Sequence, residues 1–226
     1  MAQNYYYDSE LMEEIVARGD HRAVVGGLWD EMGKLQLSFL KSQGLKPADR
    51  LLDVGCGCLR GGTHYVRYLE AGNYYGIDLS PQLLAAGYDV EITQAGLQDK
   101  LPRENLRQTE AFDATGFRVR FDMAVAVSVF THLPLNNLRV ALHNLGPVMK
   151  PGGRFFASFF IVQPHEDLFQ AIRQPGCDVV TFPDKDPFHY YRRDLVHFAR
   201  GQGWELENVQ SWEHPRNQKM VCFRKV

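Results

Sequence analysis

A glycine-rich turn follows a short apolar run in the first third of the sequence. The run Leu51–Val54 leads directly into Gly55 and Gly57, and a helix-forming stretch comes next. Glycine lets the backbone turn tightly and lets a ligand approach it without a side chain in the way. In open parallel sheets ligands bind outside the carboxyl ends of the strands, where this turn would lie. The glycines alone are equally compatible with a ligand site and with a simple tight turn.

A carboxylate ends the next apolar run. Asp78 follows residues 74–77, about 20 residues after the glycines, where an acidic side chain can accept hydrogen bonds from both hydroxyls of a ribose. The alternative is that Asp78 caps the helix that Pro81 opens, since aspartate is a good N-cap. The two roles are compatible, because Ser80 is also available as the cap.

The type of nucleotide follows from the charges around this turn. A dinucleotide site requires a third glycine where this chain has Arg60. We expect Asp53 and Asp113 to share the cleft with Asp78, and three carboxylates would repel a pyrophosphate. They suit a ligand that carries an ammonium, a sulfonium and an adenosine. The sequence therefore favours S-adenosylmethionine over NAD.

Apolar runs alternate with helical patterns after residue 50, which predicts an α/β sheet with right-handed crossovers. The predicted strands are 51–54, 74–77, 106–109, 121–130 and 154–161, followed by an antiparallel hairpin of 204–212 and 219–226. We predict helices over 134–149 and 189–201. The proline-rich stretch 163–187 is predicted to be a loop over one edge of the sheet.

Two helical segments precede this alternation. Asp8 or Ser9 can cap the first, which ends near Gly19, and a second is predicted over 21–42 with glycines that favour a break. We therefore expect residues 1–46 to form an N-terminal helical lid and residues 47–226 to form the main domain.

Composition excludes several classes of protein. The 226 residues carry a formal net charge of −2, and 45% of them are hydrophobic, as in an ordinary globular protein. Without a basic footprint or an apolar run of about 20 residues, we expect no nucleic-acid partner and no membrane span. The acidic N-terminus does not resemble a secretory signal. Four cysteines without metal-ligand spacing predict no disulfide scaffold, no metal and a reducing cytoplasm.

The motifs together resemble those of class I S-adenosylmethionine-dependent methyltransferases. The matching segments are Asp53-x-Gly55-x-Gly57, Asp78, Asp113-Ala114, residues 121–124 with 128–133, and the turn 150–153. The resemblance implies a Rossmann-like, doubly wound, mostly parallel seven-stranded sheet with a reversed C-terminal strand. One departure is Leu59, which stands where the family often has a third glycine; Gly61 and Gly62 are candidates to replace its flexibility.

The resemblance also implies roles for individual residues. Gly55, Cys56 and Gly57 would contact the methionine part and the ribose, and Asp53 would order their loop. Asp78 would bind the ribose diol, with Leu79 on the adenine. The other implied contacts are from Asp113 and Ala114 to the adenine, from Ser128 to the methionine part, and from Arg60 either to the methionine carboxylate or to solvent alone.

Fewer residues indicate how the methyl acceptor would bind and react. His132 follows the fourth strand and is the candidate general base, the alternative being a buried histidine at the start of a helix. Several aromatic and basic residues could line an acceptor pocket, but packing in the core is the favoured interpretation. They are Tyr5, Tyr6, Tyr7, His21, Arg22, Trp29, His165, His189, Tyr190 and Tyr191. We expect a methyltransferase for a small-molecule acceptor. The alternatives are an enzyme of the same fold that performs cyclisation or elimination, and a non-catalytic partner subunit.

Overall fold

The computed structural model describes residues 8–226, so the predictions for Tyr5, Tyr6 and Tyr7 lie outside the described residues. The described chain divides into two compact units, residues 8–112 and residues 113–226. The N-terminal helices belong to the same unit as the glycine-rich turn.

The first unit contains short helices, three before its first strand and the others between its strands. They are α1 (Ser9–Ala17), α2 (His21–Val24), α3 (Trp29–Ser42), α4 (Gly62–Tyr68) and α5 (Pro81–Ala86), which continues as a π-helical turn over Gly87–Ile92. Asp8 caps α1 as predicted, accepting a 3.0 Å hydrogen bond from the Leu11 amide. The helix predicted over 21–42 is broken between α2 and α3, where Gly26, Gly27 and Leu28 all have positive φ angles.

Three parallel strands complete the first unit in the order β3-β2-β1. They are β1 (Leu51–Val54), β2 (Tyr74–Asp78) and β3 (Leu106–Gln108), within one residue of the prediction. All four residues of β1 are buried, as expected for a strand that is covered on both faces. Because the three strands are parallel, Val54, Asp78 and Gln108 end at the same edge.

The second unit contains the remaining strands and two helices. These are β4 (Phe121–Ala126), α6 (Asn136–Leu145), β5 (Met149–Val162), β6 (Ile172–Arg173), β7 (Val180–Thr181), β8 (His189–Tyr191), α7 (Arg192–Ala199), β9 (Trp204–Gln210) and β10 (Lys219–Lys225). Strands β4 and β8 pair with β5 in parallel, whereas β10 runs antiparallel to both β5 and β9. Strands β6 and β7 form a separate hairpin inside the predicted loop.

Three details differ from the sequence prediction. Strand β4 ends at Ala126 rather than at residue 130. The helix predicted from 189 begins only at Arg192, because residues 189–191 pair with β5 as a strand. The predicted turn at 150–153 is a bulge within β5: Phe121 pairs with Met149, but Met123 pairs with Arg154, so the intervening residues are displaced from the ladder.

The core of the second unit is built from phenylalanine. Phe155, Phe156, Phe159 and Phe160 of β5 are all buried, and Phe130 stacks on Phe159 with ring centroids 5.5 Å apart. Such a run is typical of a central strand in an α/β protein. The chain therefore has a mixed α/β fold with mostly parallel strands, a reversed C-terminal strand and N-terminal helices, which confirms the predicted fold class.

Candidate functional site

The glycine-rich turn after β1 has the left-handed backbone that glycine favours. Gly55 and Gly57 have φ angles of 70° and 53°. The amides of Gly55 and Cys56 both donate to the Ile77 carbonyl, at 2.8 and 3.1 Å, which ties the turn to β2. Gly55 is exposed, so its backbone is accessible to a ligand.

Asp78 links the end of β2 to this turn. Its Oδ2 accepts a 2.7 Å hydrogen bond from the Gly57 amide, and its Oδ1 accepts a 2.9 Å bond from the Ser80 amide. Burial raises the pKa of Asp78, although bonds from the Ser80, Gly57 and Leu79 amides oppose the shift. A carboxylate has about four acceptor positions, so capacity remains for a hydrogen bond from a ribose hydroxyl.

Asp53 lies below the turn rather than in it. It is only 7% exposed, and its Oδ2 accepts a 2.9 Å hydrogen bond from the Tyr74 hydroxyl. Burial raises the pKa of Asp53 to about 7, with the Tyr74 hydrogen bond opposing and the Asp78 charge adding to the shift. The Gly57 amide of the turn donates its hydrogen bond to Asp78, whereas sequence reasoning expected Asp53 to order the turn.

Tyr74 is the buried partner of Asp53, a contact that sequence reasoning missed. A Cβ atom on Gly62 would lie 2.7 Å from its hydroxyl oxygen, and one on Gly76 would lie 3.3 Å from it. The hydroxyl therefore occupies space that two glycines leave open. The sequence signal was Gly76 inside a strand, since an internal strand glycine often marks a close approach.

Leu59 keeps the backbone conformation of the glycine it stands in for. Its φ is 67°, although it is fully buried and is not a glycine. Gly61 has an ordinary helical φ of −75°, so it does not replace the flexibility of the glycine that is absent at position 59. A Cβ on Gly61 would lie 2.1 Å from Gln36 Oε1, so Gly61 is required for packing against α3.

Arg60 holds the break between α2 and α3 against the turn. Its Nη1 donates to the carbonyls of Val25 and Gly27, at 2.5 and 3.0 Å. A Cβ on Gly57 would lie 2.9 Å from Val25 Cγ1, so Val25 covers this glycine. Arg60 is therefore not a purely solvated surface residue.

A buried ionic cluster that sequence reasoning missed fixes α2. Glu91, on the π-helical turn, accepts hydrogen bonds of 2.7 Å from His21 Nε2 and from Arg22 Nε and Nη2. Burial raises the pKa of Glu91, but the bonds from Arg22 and His21 outweigh it, so the pKa is lowered overall. The Arg22 guanidinium also lies 4.7 Å from the centre of the Trp29 ring. These three N-terminal side chains are therefore engaged in packing.

The two cysteines of the turn are inert thiols. Burial raises the pKa of Cys56 well above its ordinary value and that of Cys58 to about 12, so both stay protonated at neutral pH. Cys58 Sγ donates to the His21 carbonyl at 3.3 Å. Within residues 8–226, no group of three His, Cys, Asp or Glu side chains is arranged to hold a metal ion.

Asp113 and Ala114 open the second unit. Asp113 is exposed, and its Oδ1 accepts hydrogen bonds from the amide and the hydroxyl of Thr115, at 2.8 and 2.7 Å. Ala114 is fully buried. The carboxylate therefore fixes the short 3₁₀ turn Thr115–Phe117, and its second oxygen is not part of that contact.

Ser128 adopts a left-handed conformation just beyond β4. Its φ is 60°, and its amide donates a 2.7 Å hydrogen bond to Ser158 Oγ. Gln218 Oε1 accepts from both hydroxyls, at 3.1 Å from Ser128 and 2.7 Å from Ser158. Such strained positions persist only when their surroundings fix them, and Ser158 and Gln218 do so here. Sequence reasoning missed Ser158 and Gln218, because Ser158 lies on β5 and Gln218 lies next to β10, both far from Ser128 along the chain.

His132 contacts a carboxylate that sequence reasoning did not predict. Its Nδ1 lies 2.6 Å from Asp186 Oδ1, and the two side chains are 32% and 33% exposed. The imidazole is therefore partly exposed and hydrogen-bonded. Asp186 was missed because it lies 54 residues away in the proline-rich stretch.

The remaining aromatic candidates are divided between packing and solvent. His189 is buried between Thr181 Oγ1 and the Leu168 carbonyl, each 2.8 Å from a ring nitrogen. Tyr190 is buried, and its hydroxyl donates to the Leu133 carbonyl, while Tyr191 donates to the Glu166 carbonyl. His165 is exposed. Across the described chain no helix is long and apolar enough to cross a membrane.

Comparison with known proteins finds a methyltransferase domain in the chain. Residues 52–155 match the family model of a methyltransferase domain. The chain is 26% identical over 196 residues to a ubiquinone biosynthesis O-methyltransferase of Nitrosococcus oceani, covering 80% of this chain and 78% of that protein. It is 27% identical over 191 residues to an 18S rRNA (guanine-N7)-methyltransferase of Saccharomyces cerevisiae, covering 78% and 66%.

The fold is similar to that of solved methyltransferases. The magnesium protoporphyrin IX methyltransferase of Synechocystis PCC 6803 with bound SAH has a TM-score of 0.62 at 13% identity, covering 88% of this chain and 86% of that one. The matched segment contains Gly55, Gly57 and Asp78 in the arrangement described above. The comparisons therefore show a methyltransferase domain over residues 52–155, in a chain with the fold of S-adenosylmethionine-dependent methyltransferases.

Proposed function

We propose that the first unit binds S-adenosylmethionine at the edge formed by β1 and β2, and that the chain transfers the methyl group to a small-molecule acceptor. The observation that carries the binding proposal is the contact between the Asp78 carboxylate and the Gly57 amide. It places an acidic group beside the glycine-rich turn at the carboxyl ends of parallel strands.

The residues present fit this cofactor. Asp78 retains acceptor capacity for a ribose hydroxyl, and the exposed backbone of Gly55 admits a ligand at close range. Asp53, whose pKa is about 7, becomes more fully ionised beside a cation and so favours a sulfonium. In the proposal Cys56, Arg60 and Leu79 line this site, and Asp113, Ala114 and Ser128 keep the contacts that the family resemblance implies.

When bound, the cofactor would supply a methyl group activated by a positively charged sulfur, which can leave with the electron pair of the carbon–sulfur bond. The chain's contribution is to align the acceptor and exclude water, which lowers the barrier by several kcal/mol. His132 is proposed to accept a proton from the acceptor.

A small acceptor is supported by charge and by two relatives. The net charge of −2 is unlike the basic footprint of nucleic-acid enzymes. The Nitrosococcus relative is named for ubiquinone biosynthesis and the Synechocystis enzyme for magnesium protoporphyrin IX. The yeast relative is named for 18S rRNA, so RNA is the competing acceptor to be tested.

We also propose that the helical segment within residues 1–46 acts as a lid over the glycine-rich turn. The support is local. The Arg60 guanidinium bonds to the carbonyls of Val25 and Gly27, and Val25 packs on Gly57.

Calorimetry with S-adenosylmethionine, S-adenosylhomocysteine and NAD tests the cofactor. We expect the first two to bind and NAD not to bind. NAD binding without the others would overturn the proposal.

Incubation with methyl-labelled cofactor and cell extract tests the acceptor. We expect label in the small-molecule fraction together with S-adenosylhomocysteine. Label recovered in RNA would refute the small acceptor, and methylthioadenosine as the by-product would refute methyl transfer.

A further inference from the structure

We propose that helices α6 and α7 form a basic face that binds the phosphodiester backbone of a nucleic acid. The basic face is defined by four exposed arginines, Arg139 on α6 and Arg192, Arg193 and Arg200 at the two ends of α7. The inference goes beyond the proposed function. It assigns a partner rather than a methyl acceptor, so it does not change the small-molecule acceptor proposed above.

The four arginines lack the carboxylate partners that other arginines of the chain have. Across residues 8–226, none of the four makes an ion pair with an aspartate or a glutamate. The arginines that do so are Arg18, Arg22, Arg103, Arg173 and Arg224. Because a guanidinium without a carboxylate partner keeps its full charge at the surface, the basic face has a local excess of positive charge.

Stacking on aromatic rings joins the two helices and orients two of the guanidiniums. Arg139 Cζ lies 4.4 Å from the centre of the Phe198 ring on α7, and Arg193 Cζ lies 4.2 Å from the centre of the Tyr191 ring. The positions of Arg193 and Arg200 are about two helical turns apart, so both lie on the same side of α7. A planar guanidinium that is oriented in this way is suited to bidentate contacts with phosphate oxygens.

Few carboxylates lie near the basic face, and those that do are engaged by backbone amides. Residues 132–150, which contain α6, include no aspartate or glutamate, and residues 187–203, which contain α7, include only Asp194. Asp194 accepts a hydrogen bond from the amide that precedes α7. Glu166 and Asp167, in the loop that packs beside the start of α7, accept hydrogen bonds from amides of their own loop.

The carboxylates of the neighbouring strand β9 lie on the other face of the sheet. Glu205 and Glu207 both contact Arg224 there. They alternate along β9 with Trp204, whose indole N–H donates a 2.8 Å hydrogen bond to the Leu142 carbonyl of α6. Successive side chains of a strand point to opposite faces, so these two glutamates do not neutralise the basic face.

The two arginines at the start of α7 are unfavourable for the helix itself. The N-terminus of a helix carries partial positive charge, so cations in its first turn are repelled. Asp194 is the only acidic residue in that turn, beside Arg192 and Arg193. A polyanion bound to the basic face would offset the repulsion between these charges.

The composition of the basic face selects the kind of partner. Val140, which is 43% exposed, is the only large hydrophobic side chain that is exposed on the described helices α6 and α7. Protein interfaces depend on apolar and aromatic anchors, and a helix that binds a membrane surface needs an apolar face. A nucleic acid requires only spaced cations, because the release of counterions from its phosphates drives binding.

The net charge of −2 is compatible with a local basic face. The acidic residues that balance the arginines lie elsewhere, for example Glu10, Glu13 and Glu14, which are exposed on α1. The expectation of no nucleic-acid partner was based on charges summed over the whole chain. Such a sum does not show how the charges are distributed over the surface.

Fluorescence anisotropy of the full chain at several salt concentrations tests the inference. The probes are a labelled single-stranded RNA of mixed sequence and the DNA of the same sequence. Each neutralised phosphate of a single strand contributes about 0.7 to the slope of log Kobs against log[salt], so four arginines predict a slope of about −3. We expect both polymers to bind, because they share the phosphodiester, and the tighter one identifies the source. No binding of either at low salt would overturn the inference.

Arginine variants locate the binding to the basic face. Combining Arg139→Gln with Arg193→Gln should weaken binding at low salt and reduce the magnitude of the slope by about 1.4. Arg139→Lys keeps the charge and should keep the slope. Arg173→Gln, the matched control, removes an exposed arginine of the same unit that pairs with Asp178, and it should change neither quantity. An unchanged slope in the double variant, or an equal effect of Arg173→Gln, would overturn the inference.

Competing polyanions test the choice of partner. Polyglutamate and vesicles that contain phosphatidylserine should displace the labelled strand less effectively than unlabelled RNA at equal charge concentration. More effective displacement by either would overturn the inference in favour of an acidic protein or a membrane. The arginine variants should bind S-adenosylmethionine as the wild type does. A wild type that binds the nucleic acid but not the cofactor would refute the proposed function and support this inference.

Discussion

The amide of Gly57 and the carboxylate of Asp78 are joined by a 2.7 Å hydrogen bond across 21 residues of chain. The bond fixes the glycine-rich turn after β1 to the end of β2. An acidic side chain therefore has two roles at once: it orders the turn, and it presents its remaining acceptor capacity at the strand edge.

Replacing Asp78 with asparagine should weaken S-adenosylmethionine binding. An amide has one oxygen, so the amide of either Gly57 or Ser80 loses its acceptor, and the charged acceptor for the ribose is removed. We expect a loss of about 1–3 kcal/mol, or roughly tenfold to a hundredfold in Kd, by calorimetry. Asp99→Asn, an exposed carboxylate in the same unit, is the control and should bind normally. An unchanged Kd for Asp78→Asn would remove Asp78 from the site.

Gly57→Ala should destabilise the protein by more than the strain of a positive φ angle alone predicts. The methyl group would meet Val25 Cγ1 at 2.9 Å, and a φ of 53° already disfavours alanine. Gly72 has a φ of 79° but no atom within 4 Å of a Cβ, so Gly72→Ala measures backbone strain alone, about 1 kcal/mol.

We therefore expect urea denaturation to show a larger decrease in the free energy of unfolding for Gly57→Ala than for Gly72→Ala. Calorimetry should show weaker cofactor binding only for the former. Equal losses in the two variants would mean that Val25 moves aside and does not cover the turn.

Asp53 should make the free energy of unfolding depend on pH. Its pKa in the folded protein is about 7, against an ordinary value of 3.8. Below about pH 4 the carboxyl is protonated in both states and burial carries no electrostatic penalty. As pH rises toward about 7, the unfolded chain loses the proton before the folded one, so stability falls, by at most about 4 kcal/mol in total.

Asp53→Asn should remove this slope while keeping an oxygen that can accept from the Tyr74 hydroxyl. Urea denaturation at several pH values should show the variant gaining stability relative to the wild type between about pH 4 and 7. Asp99→Asn controls for the loss of a surface charge. A constant difference across this range would show that Asp53 is ionised throughout.

Glu91→Gln should loosen the N-terminal helices. The variant loses the charged partner of Arg22 and His21 in a site where Glu91 is only 4% exposed. Because half of the Arg22 side chain is exposed, we expect about 1–3 kcal/mol of destabilisation at neutral pH rather than the full effect of breaking a buried pair.

The pH dependence of this loss has the opposite sign to that of Asp53. The pKa of Glu91 is lowered, so its contribution is present above the ordinary value and disappears as pH falls through the folded value. Urea denaturation should show the difference from wild type shrinking in acid. Glu31→Gln, exposed on α3, should leave stability nearly unchanged, and equal effects of the two variants would argue against a stabilising cluster.

Local sequence was sufficient for the elements that carry the cofactor proposal. The apolar run Leu51–Val54 with Gly55 and Gly57, and Ser80 followed by Pro81, predicted a strand, a turn and a capped helix correctly. These features are local because turn and cap preferences depend on a few adjacent residues. The strand at 189–191 was missed because only its pairing with β5 makes it a strand.

The amino-acid sequence by itself determined the fold class, the family motifs and the residues whose types could bind a sulfonium nucleoside. The tertiary structure alone decided which partners these residues have. Asp186 is 54 residues from His132, and Glu91 is 70 residues from His21. Such pairs have no spacing rule, because the distance along the chain is set by the lengths of the intervening helices and loops, whereas the contact is set by how those elements pack.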